Sequence, residues 1–175
     1  MLTTRQANTN EFMDVRAFYH ELIDEMKSST FRPGWEKGVY PSDDFLQAAI
    51  NSGQLFVGLW DGKIASAMVM NHENNEGYNK VNWSHSFLPN EVIIIHALGI
   101  LPSFQGRGIA KAMCHYAFKW AKDNNMKAIR LDVLGTNEPA QNLYVAMGFR
   151  YVDTIKMFYE DTGLTDYLLY EWFAD

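Results

Sequence analysis

The sequence predicts a mixed α/β fold in which helices cover both faces of one central β-sheet. The first observation is the order of patterned segments, which reads helix, helix, hairpin, strand, helix, strand, helix and two closing strands. The second is the run 92–101, which is apolar almost throughout, as expected of a strand buried on both faces. The third is composition, because 47% of the 175 residues are hydrophobic and 21% are charged, as in globular proteins. We therefore expect residues 1–175 to form a single domain.

The chain begins with a short strand and a helix. Residues 2–7 have the pattern of an opening strand. A helix follows a cap at Thr9 or Asn10 and ends near residues 27–30. Its apolar residues recur at helical spacing and are Phe12, Val15, Tyr19, Leu22, Ile23 and Met26.

A loop and a second helix come next. Residues 31–42 carry two prolines and two glycines among aromatic residues, which predicts an ordered loop. Ser42 caps the second helix, Asp43 and Asp44 lie in its first turn, and Gly53 ends it.

A β-hairpin occupies the middle of the chain. Residues 54–60 and 63–71 flank Asp61 and Gly62, and this dipeptide is a strong signal for a tight hairpin turn. The following residues, 72–87, are polar at first and then have no clear assignment.

The second half alternates helices with strands. One helix follows a pair of glycines and places apolar residues along one face of 109–120. Another begins at Asn137, has Pro139 in its first turn and ends at Gly148. The strands are 127–134, 151–159 and 166–173.

The charge of the chain excludes some classes of partner. The formal net charge is −6 and the isoelectric point is near 5.3. Nucleic acids and anionic membranes are polyanions, so an acidic protein does not attract them, and we expect neither as a partner. The same charge leaves room for a cationic or amine substrate.

Cysteine and histidine usage points to a simple intracellular protein. Cys114 is the one cysteine, so no disulfide forms within the chain, and we expect it to serve packing. The histidines show no ligand spacing, and we expect no metal. No segment resembles a signal peptide or a membrane span, so the expected location is the cytoplasm.

The stretch Ser103–Met113, "SFQGRGIAKAM", predicts a phosphate-binding turn. Two glycines between a strand and a helix let a ligand approach the backbone closely, and the helix start offers free N–H groups. The chain has no P-loop, and the dinucleotide fingerprint fails because Lys111 stands at its third glycine. On this motif alone, a simple tight turn remains the alternative.

Two motifs together resemble a known family. "QGRGIA", residues 105–110, resembles the Gln/Arg-x-x-Gly-x-Gly/Ala loop of the GCN5-related N-acetyltransferases (GNAT superfamily). "NEPAQNLYVAMGF", residues 137–149, is similar to the second signature of that family, and the spacing between the two also fits. The resemblance covers about residues 92–152. It implies a GNAT-type, mostly antiparallel central sheet with helices on both faces.

The resemblance implies acetyl-CoA as cosubstrate. Backbone N–H groups of the glycine loop would hold the pyrophosphate, and the central strand would pair with the pantetheine arm. Arg107 would add a charge or remain solvated, and Asn137 would reach the arm or cap its helix. The implied cofactor-binding residues are Leu98, Ile100, Gln105, Gly106, Arg107, Gly108, Ile109, Ala110, Asn137 and Tyr144.

Acetyl transfer to an amine sets chemical requirements. The amine must lose a proton, the developing oxyanion needs a donor, and the leaving thiolate needs a proton. The resemblance implies Tyr144 as the acid and the N–H of Leu98 as the oxyanion donor. His96 shares a strand face with Ile94, Leu98 and Ile100 by period two and is one proposed base. Glu91 is the other, and a mechanism without a dedicated base stays open.

The acceptor pocket is predicted from position. Trp35, Glu36 and Tyr40 fall where this family builds one wall of the pocket, and a self-packed loop is the alternative. Tyr159 would belong to the opposite wall. We expect Asp132, on the next strand, to be structural.

Three functions follow from these expectations. The leading one is an acetyl-CoA-dependent N-acetyltransferase that acetylates a primary amine by direct attack within a ternary complex. The amine belongs to a small molecule or a peptide. A non-catalytic sensor of acetyl-CoA or CoA is the alternative, and a nucleotide-binding regulatory domain is the third. A homodimer that pairs through the aromatic C-terminal strand is also expected.

Overall fold

Hydrogen bonds join seven strands into one sheet in the computed structural model, which describes residues 1–175. The sheet order is β1-β2-β3-β4-β5-β7-β6, and the β4–β5 pair alone is parallel. The strands are β1 (Leu2–Gln6), β2 (Leu55–Trp60), β3 (Lys63–Asn71), β4 (Val92–Ile100), β5 (Ala128–Leu134), β6 (Arg150–Tyr159) and β7 (Gly163–Phe173). The helices are α1 (Phe12–Glu25), α2 (Asp43–Asn51), α3 (Ile109–Asp123) and α4 (Glu138–Ala146). The predicted mostly antiparallel sheet is confirmed.

The helices bury their apolar sides against opposite faces of the sheet, as predicted. Tyr19 of α1 and Leu46 of α2 belong to one buried cluster, with residues of β2, β3 and β4. Met113 of α3 and Tyr144 of α4 belong to another on the opposite face. None of the helices is both long and apolar enough to cross a membrane.

Short-range signals place several boundaries correctly. Asp61 and Gly62 both have positive φ, 48° and 86°, as a two-residue hairpin turn of this kind requires. The Ser42 hydroxyl accepts the N–H of Phe45 at 3.1 Å and caps α2. Gly148 follows α4 with φ of 89°.

The start of α1 differs from its prediction. Neither Thr9 nor Asn10 caps the helix, because Glu11 is the residue that precedes it. The Glu11 carboxylate accepts the N–H of Asn8 at 2.7 Å and two hydrogen bonds from Arg5. The ion pair therefore joins the end of β1 to the start of α1, and the helix has no side-chain cap.

The C-terminal strand is also not at an edge of the sheet. β7 lies between β5 and β6, so its backbone groups are already paired on both sides. The expectation that this strand is a free edge was wrong. The edge strand is β6 instead, because β7 pairs with β5, and Tyr151 and Phe158 of β6 are exposed.

A β-bulge interrupts β4. Val69 pairs with His96 and Ala67 pairs with Gly99, so Met68 faces two residues of β4, Ala97 and Leu98. Ala97 takes a positive φ of 51°, which is uncommon for alanine. Tyr19 donates its hydroxyl to the Ala97 carbonyl at 2.8 Å and so supports the bulge.

The bulge corrects one prediction about the strand face. Leu98 and Ile100 pack against the cluster on the α3 and α4 side, whereas the His96 ring contacts Phe45 of α2. His96 therefore shares a face with Ile94 but not with Leu98 and Ile100. The period-two prediction failed because the extra residue of the bulge moves every later side chain of β4 to the opposite face of the sheet.

β4 and β5 separate after their first residues. They pair at Val92, Ile93 and Ile94, and β5 beyond Arg130 pairs with β7 alone. The side of β4 that faces β5 therefore has no partner strand from Ile95 onward.

Candidate active site

A cleft of about 540 Å³ opens beside the end of β4, between the start of α3 and the start of α4. Every residue predicted to bind the cofactor lines it except Arg107. Those present are Leu98, Ile100, Gln105, Gly106, Gly108, Ile109, Ala110, Asn137 and Tyr144. We call this space the outer cleft. The binding role of each residue stays a prediction.

The glycine loop leaves room for a phosphate group at the edge of the outer cleft. Gly106 and Gly108 have φ of 77° and 75°, and no atom lies within 4 Å of where a Cβ would stand. Gly108 immediately precedes α3, whose first N–H groups have no carbonyl partners within the helix. Open space beside free N–H groups at a helix start fits a pyrophosphate.

The basic residue that lines the outer cleft is not the one that the sequence predicted. Arg107 lies over the rings of Trp60 and Phe104, at 5.3 and 5.4 Å, and does not line the outer cleft. Lys111 does line it. In the dinucleotide fingerprint Lys111 counts only as a missing glycine, but its position in the first turn of α3 was the signal that could have identified it.

The start of α4 forms the opposite side of the outer cleft. Asn137 caps the helix by accepting the N–H of Ala140 at 3.4 Å, and both residues line the cleft. Tyr144 is only 7% exposed, and its hydroxyl makes no hydrogen bond to the protein. Burial raises the pKa of Tyr144, so the phenol is neutral and keeps its proton for donation.

A smaller cavity of about 100 Å³ adjoins the inner end of the outer cleft. Both spaces are lined by Pro33, Trp35, Leu98, Asn137, Ala140 and Tyr144. We call the smaller space the inner cavity. The Tyr144 side chain thus borders both spaces.

His96 lines the inner cavity and is held by Asn71. Its Nε2 lies 2.8 Å from Asn71 Oδ1, which also accepts the N–H of Glu73. Because that atom only accepts, Nε2 is the protonated nitrogen of the neutral ring. Burial lowers the pKa of His96 to about 4, which keeps the ring neutral and makes it a weak proton acceptor.

Asp132 also lines the inner cavity, although the sequence suggested a structural role. Tyr78 and Tyr159 each donate a hydroxyl to its Oδ2 at 2.8 Å. Oδ1 makes no hydrogen bond to the protein. Burial raises the pKa of Asp132, and the two tyrosine donors oppose that rise only in part.

The predicted acceptor residues are only partly brought together. Trp35, Tyr40 and Tyr159 line the inner cavity. Glu36 instead lines a separate depression beside α1. Glu91 accepts the N–H of Leu88 at 2.9 Å before the start of β4 and lines neither the cleft nor the cavity.

Sequence comparison agrees with this architecture. Residues 17–149 match the model of the acetyltransferase (GNAT) family. The match covers most of the chain, and the protein belongs to this family.

Individual relatives are more distant. Streptothricin acetyltransferase from Escherichia coli is 33% identical over 60 residues, which cover 34% of this chain and 34% of that protein. The matched stretch thus spans about a third of the length of the first curated relatives.

Solved structures resemble the whole fold. A GNAT-family acetyltransferase from Streptococcus agalactiae has a TM-score of 0.80 at 20% identity, covering 98% of this chain and 95% of that one. Arabidopsis thaliana NAA60 in complex with acetyl-CoA has a TM-score of 0.70 at 19% identity, covering 99% and 98%. At these identities the likeness concerns the fold.

Proposed function

We propose that this protein transfers the acetyl group of acetyl-CoA to a primary amine by direct attack within a ternary complex. The observation that supports this most directly is that the outer cleft and the inner cavity are adjacent. The outer cleft has the glycine loop at one end, and the small polar inner cavity adjoins its other end. Tyr144 stands where they meet. Such an arrangement brings two substrates together without a covalent enzyme intermediate.

The outer cleft is suited to hold acetyl-CoA, which supplies the acetyl group as a thioester. The N–H groups around Gly106 and Gly108 would bind its pyrophosphate, and Lys111 would add a positive charge. The unpaired edge of β4 would bind the extended arm as a strand would. The N–H of Leu98 would donate to the developing oxyanion.

Asp132 is the proton acceptor that the geometry favours. An ionised carboxylate with a raised pKa is a stronger base than an ordinary aspartate, and Oδ1 is free to accept. His96 has a pKa of about 4 and is the weaker acceptor. Glu91 would have to act from outside both spaces. Tyr144, neutral and without a protein partner, would donate a proton to the leaving sulfur.

Thermal unfolding with acetyl-CoA, CoA and ATP, each separately in excess, tests the cleft. A ligand at about a hundred times its dissociation constant stabilises the native state by about 2.7 kcal/mol. We expect both CoA compounds to raise the melting temperature and ATP to leave it unchanged. Release of CoA thiol in the presence of amines then tests transfer. Stabilisation without thiol release from any amine would favour the sensor alternative instead.

A further inference from the structure

Acidic side chains, and no basic ones, line the inner cavity. Asp132 and Asp161 both line it, and no lysine or arginine does. Asp161 lies in the turn between β6 and β7, on the wall away from the outer cleft. Burial raises the pKa of Asp161, and the charges of Glu36 and Asp132 add to the effect. A bound cation would relieve this repulsion.

Polar groups without protein partners face the same space. The hydroxyl groups of Tyr40 and Tyr144 make no hydrogen bond to the protein, and neither does Oδ1 of Asp132. Tyr144 as a residue is more than nine-tenths buried, but its hydroxyl is open to the cavity, because Ser66 Oγ is the one fully buried side-chain polar atom without a hydrogen bond. These groups are therefore available to a polar ligand in the cavity.

The remaining walls are aromatic. Trp35, Tyr40, Tyr159 and Tyr167 all line the inner cavity. The faces of such rings attract cations, most strongly where water is excluded. The cavity volume of about 100 Å³ limits the occupant to a small molecule or a short side chain.

We propose that the acceptor is a small amine that carries a second cationic centre, such as a short diamine. The nitrogen to be acetylated lies between Asp132 and Tyr144, where the inner cavity meets the outer cleft. The second ammonium pairs with Asp161 on the far wall, among the tyrosine rings. This inference rests on the proposed acetyl transfer, because it names the substrate class of that same site.

Direct binding tests the inference apart from catalysis. The protein saturated with CoA is titrated by calorimetry with 1,4-diaminobutane, butylamine and 4-aminobutyrate, which share a four-carbon chain. We expect the diamine to bind about tenfold to a hundredfold more tightly than butylamine, as one added charge-assisted hydrogen bond would provide. The aminobutyrate, with a carboxylate facing Asp161, should bind most weakly.

Paired variants locate the second cation. In Asp161→Asn the ratio of the diamine and butylamine affinities should fall toward one. Glu160→Gln removes the same charge from the neighbouring residue, which is exposed and outside the cavity, and should preserve the ratio. Equal affinities in the unaltered protein, or tighter binding of the aminobutyrate or of a peptide with a free N-terminus, would overturn the inference.

Measurements of thiol release distinguish a failure of this inference from a failure of the proposed acetyl transfer. Thiol release with butylamine and no preference for the diamine would retain acetyl transfer and reject a second cation site. Preferential binding of the diamine without thiol release from any amine would retain the cation site and reject transfer.

Discussion

At the scale of single residues, Tyr144 has the clearest expected effect. In Tyr144→Phe the phenol that would protonate the leaving sulfur is lost, so kcat should fall on the order of 10²-fold or more. Its hydroxyl has no protein hydrogen bond, so the fold and the affinity for acetyl-CoA should change little. Steady-state kinetics and a binding titration check both expectations.

Tyr170→Phe is a matched control for that variant. Tyr170 is also a buried tyrosine, its ring lies 6.3 Å from that of Tyr144, and it lines neither space. We expect nearly normal kcat. Equal losses in the two variants would point to packing of the aromatic cluster rather than proton transfer.

As the proposed proton acceptor, Asp132 should give the reaction a pH dependence that Tyr159 influences. The carboxylate accepts a proton only when ionised, so kcat/KM should fall as the pH falls through its raised pKa. Tyr159→Phe removes one of two donors to the ionised form, which raises that pKa further. The acidic limb of the pH profile should move upward by about one pH unit.

The control for this shift is a tyrosine outside the cavity. Tyr151 is exposed and its hydroxyl contacts Thr154. Tyr151→Phe should leave the profile unchanged. An acidic limb that stays in place in Tyr159→Phe would exclude Asp132 as the group whose ionisation limits the rate.

The positions of site residues were predictable where a motif fixed them. Tyr144 and Asn137 stood in a signature with its own spacing, and both line the cleft. Asp132 was not identified, because its carboxylate is held by Tyr78, which lies 54 residues away in the chain. The alternation of residues in a strand predicts neither that contact nor the burial that raises the pKa of Asp132.

At the scale of elements, the glycine loop can be tested with two alanine variants. Gly108→Ala places a methyl group into the space proposed for the pyrophosphate and strains a positive φ. The dissociation constant for CoA should rise at least about tenfold, equivalent to about 1.4 kcal/mol. Calorimetric titration with CoA measures this change.

Gly148→Ala separates backbone strain from steric exclusion. Gly148 also has a positive φ and no atom within 4 Å of a Cβ position, but it follows α4 and lines neither space. Its stability cost should resemble that of Gly108→Ala, with normal affinity for CoA. Similar affinities in both variants would mean that the glycines serve only the turn.

Elements were predicted well where the signal was local and poorly where it was not. The hairpin at Asp61 and Gly62 and the cap at Ser42 depend on neighbouring residues, and both were correct. The bulge at Ala97 depends on the register with β3 and on the hydroxyl of Tyr19 from α1. No periodicity within β4 could reveal it.

At the scale of the whole molecule, a buried ion pair joins the segment between β3 and β4 to the sheet. Glu171 of β7 is 1% exposed and accepts hydrogen bonds from Arg130 and Ser84, both at 2.6 Å. Arg130 lies 4.1 Å from the ring centre of Trp83. The same segment carries Tyr78, which donates to Asp132. The segment between β3 and β4 therefore contributes both to the stability of the fold and to the candidate active site.

Glu171→Gln removes the charge that balances Arg130 in the interior. Breaking a buried pair from one side costs about 3–5 kcal/mol, because the remaining charge is left without compensation. We expect a loss of that size in the free energy of unfolding by urea. Asp166→Asn, which breaks the exposed pair with Lys156, should cost about 0–1 kcal/mol. A loss in Glu171→Gln no larger than in this control would contradict a structural role for the buried pair.

The same variant should loosen the segment that Glu171 holds before the whole protein unfolds. Lys80 is exposed within that segment, so trypsin can report its local opening. Cleavage after Lys80 under native conditions should be faster in Glu171→Gln than in Asp166→Asn. Because Tyr78 would lose its fixed position, the acidic limb of the pH profile should also move upward, as in Tyr159→Phe. Faster cleavage without that movement would show that Asp132 keeps its donors independently of the ion pair.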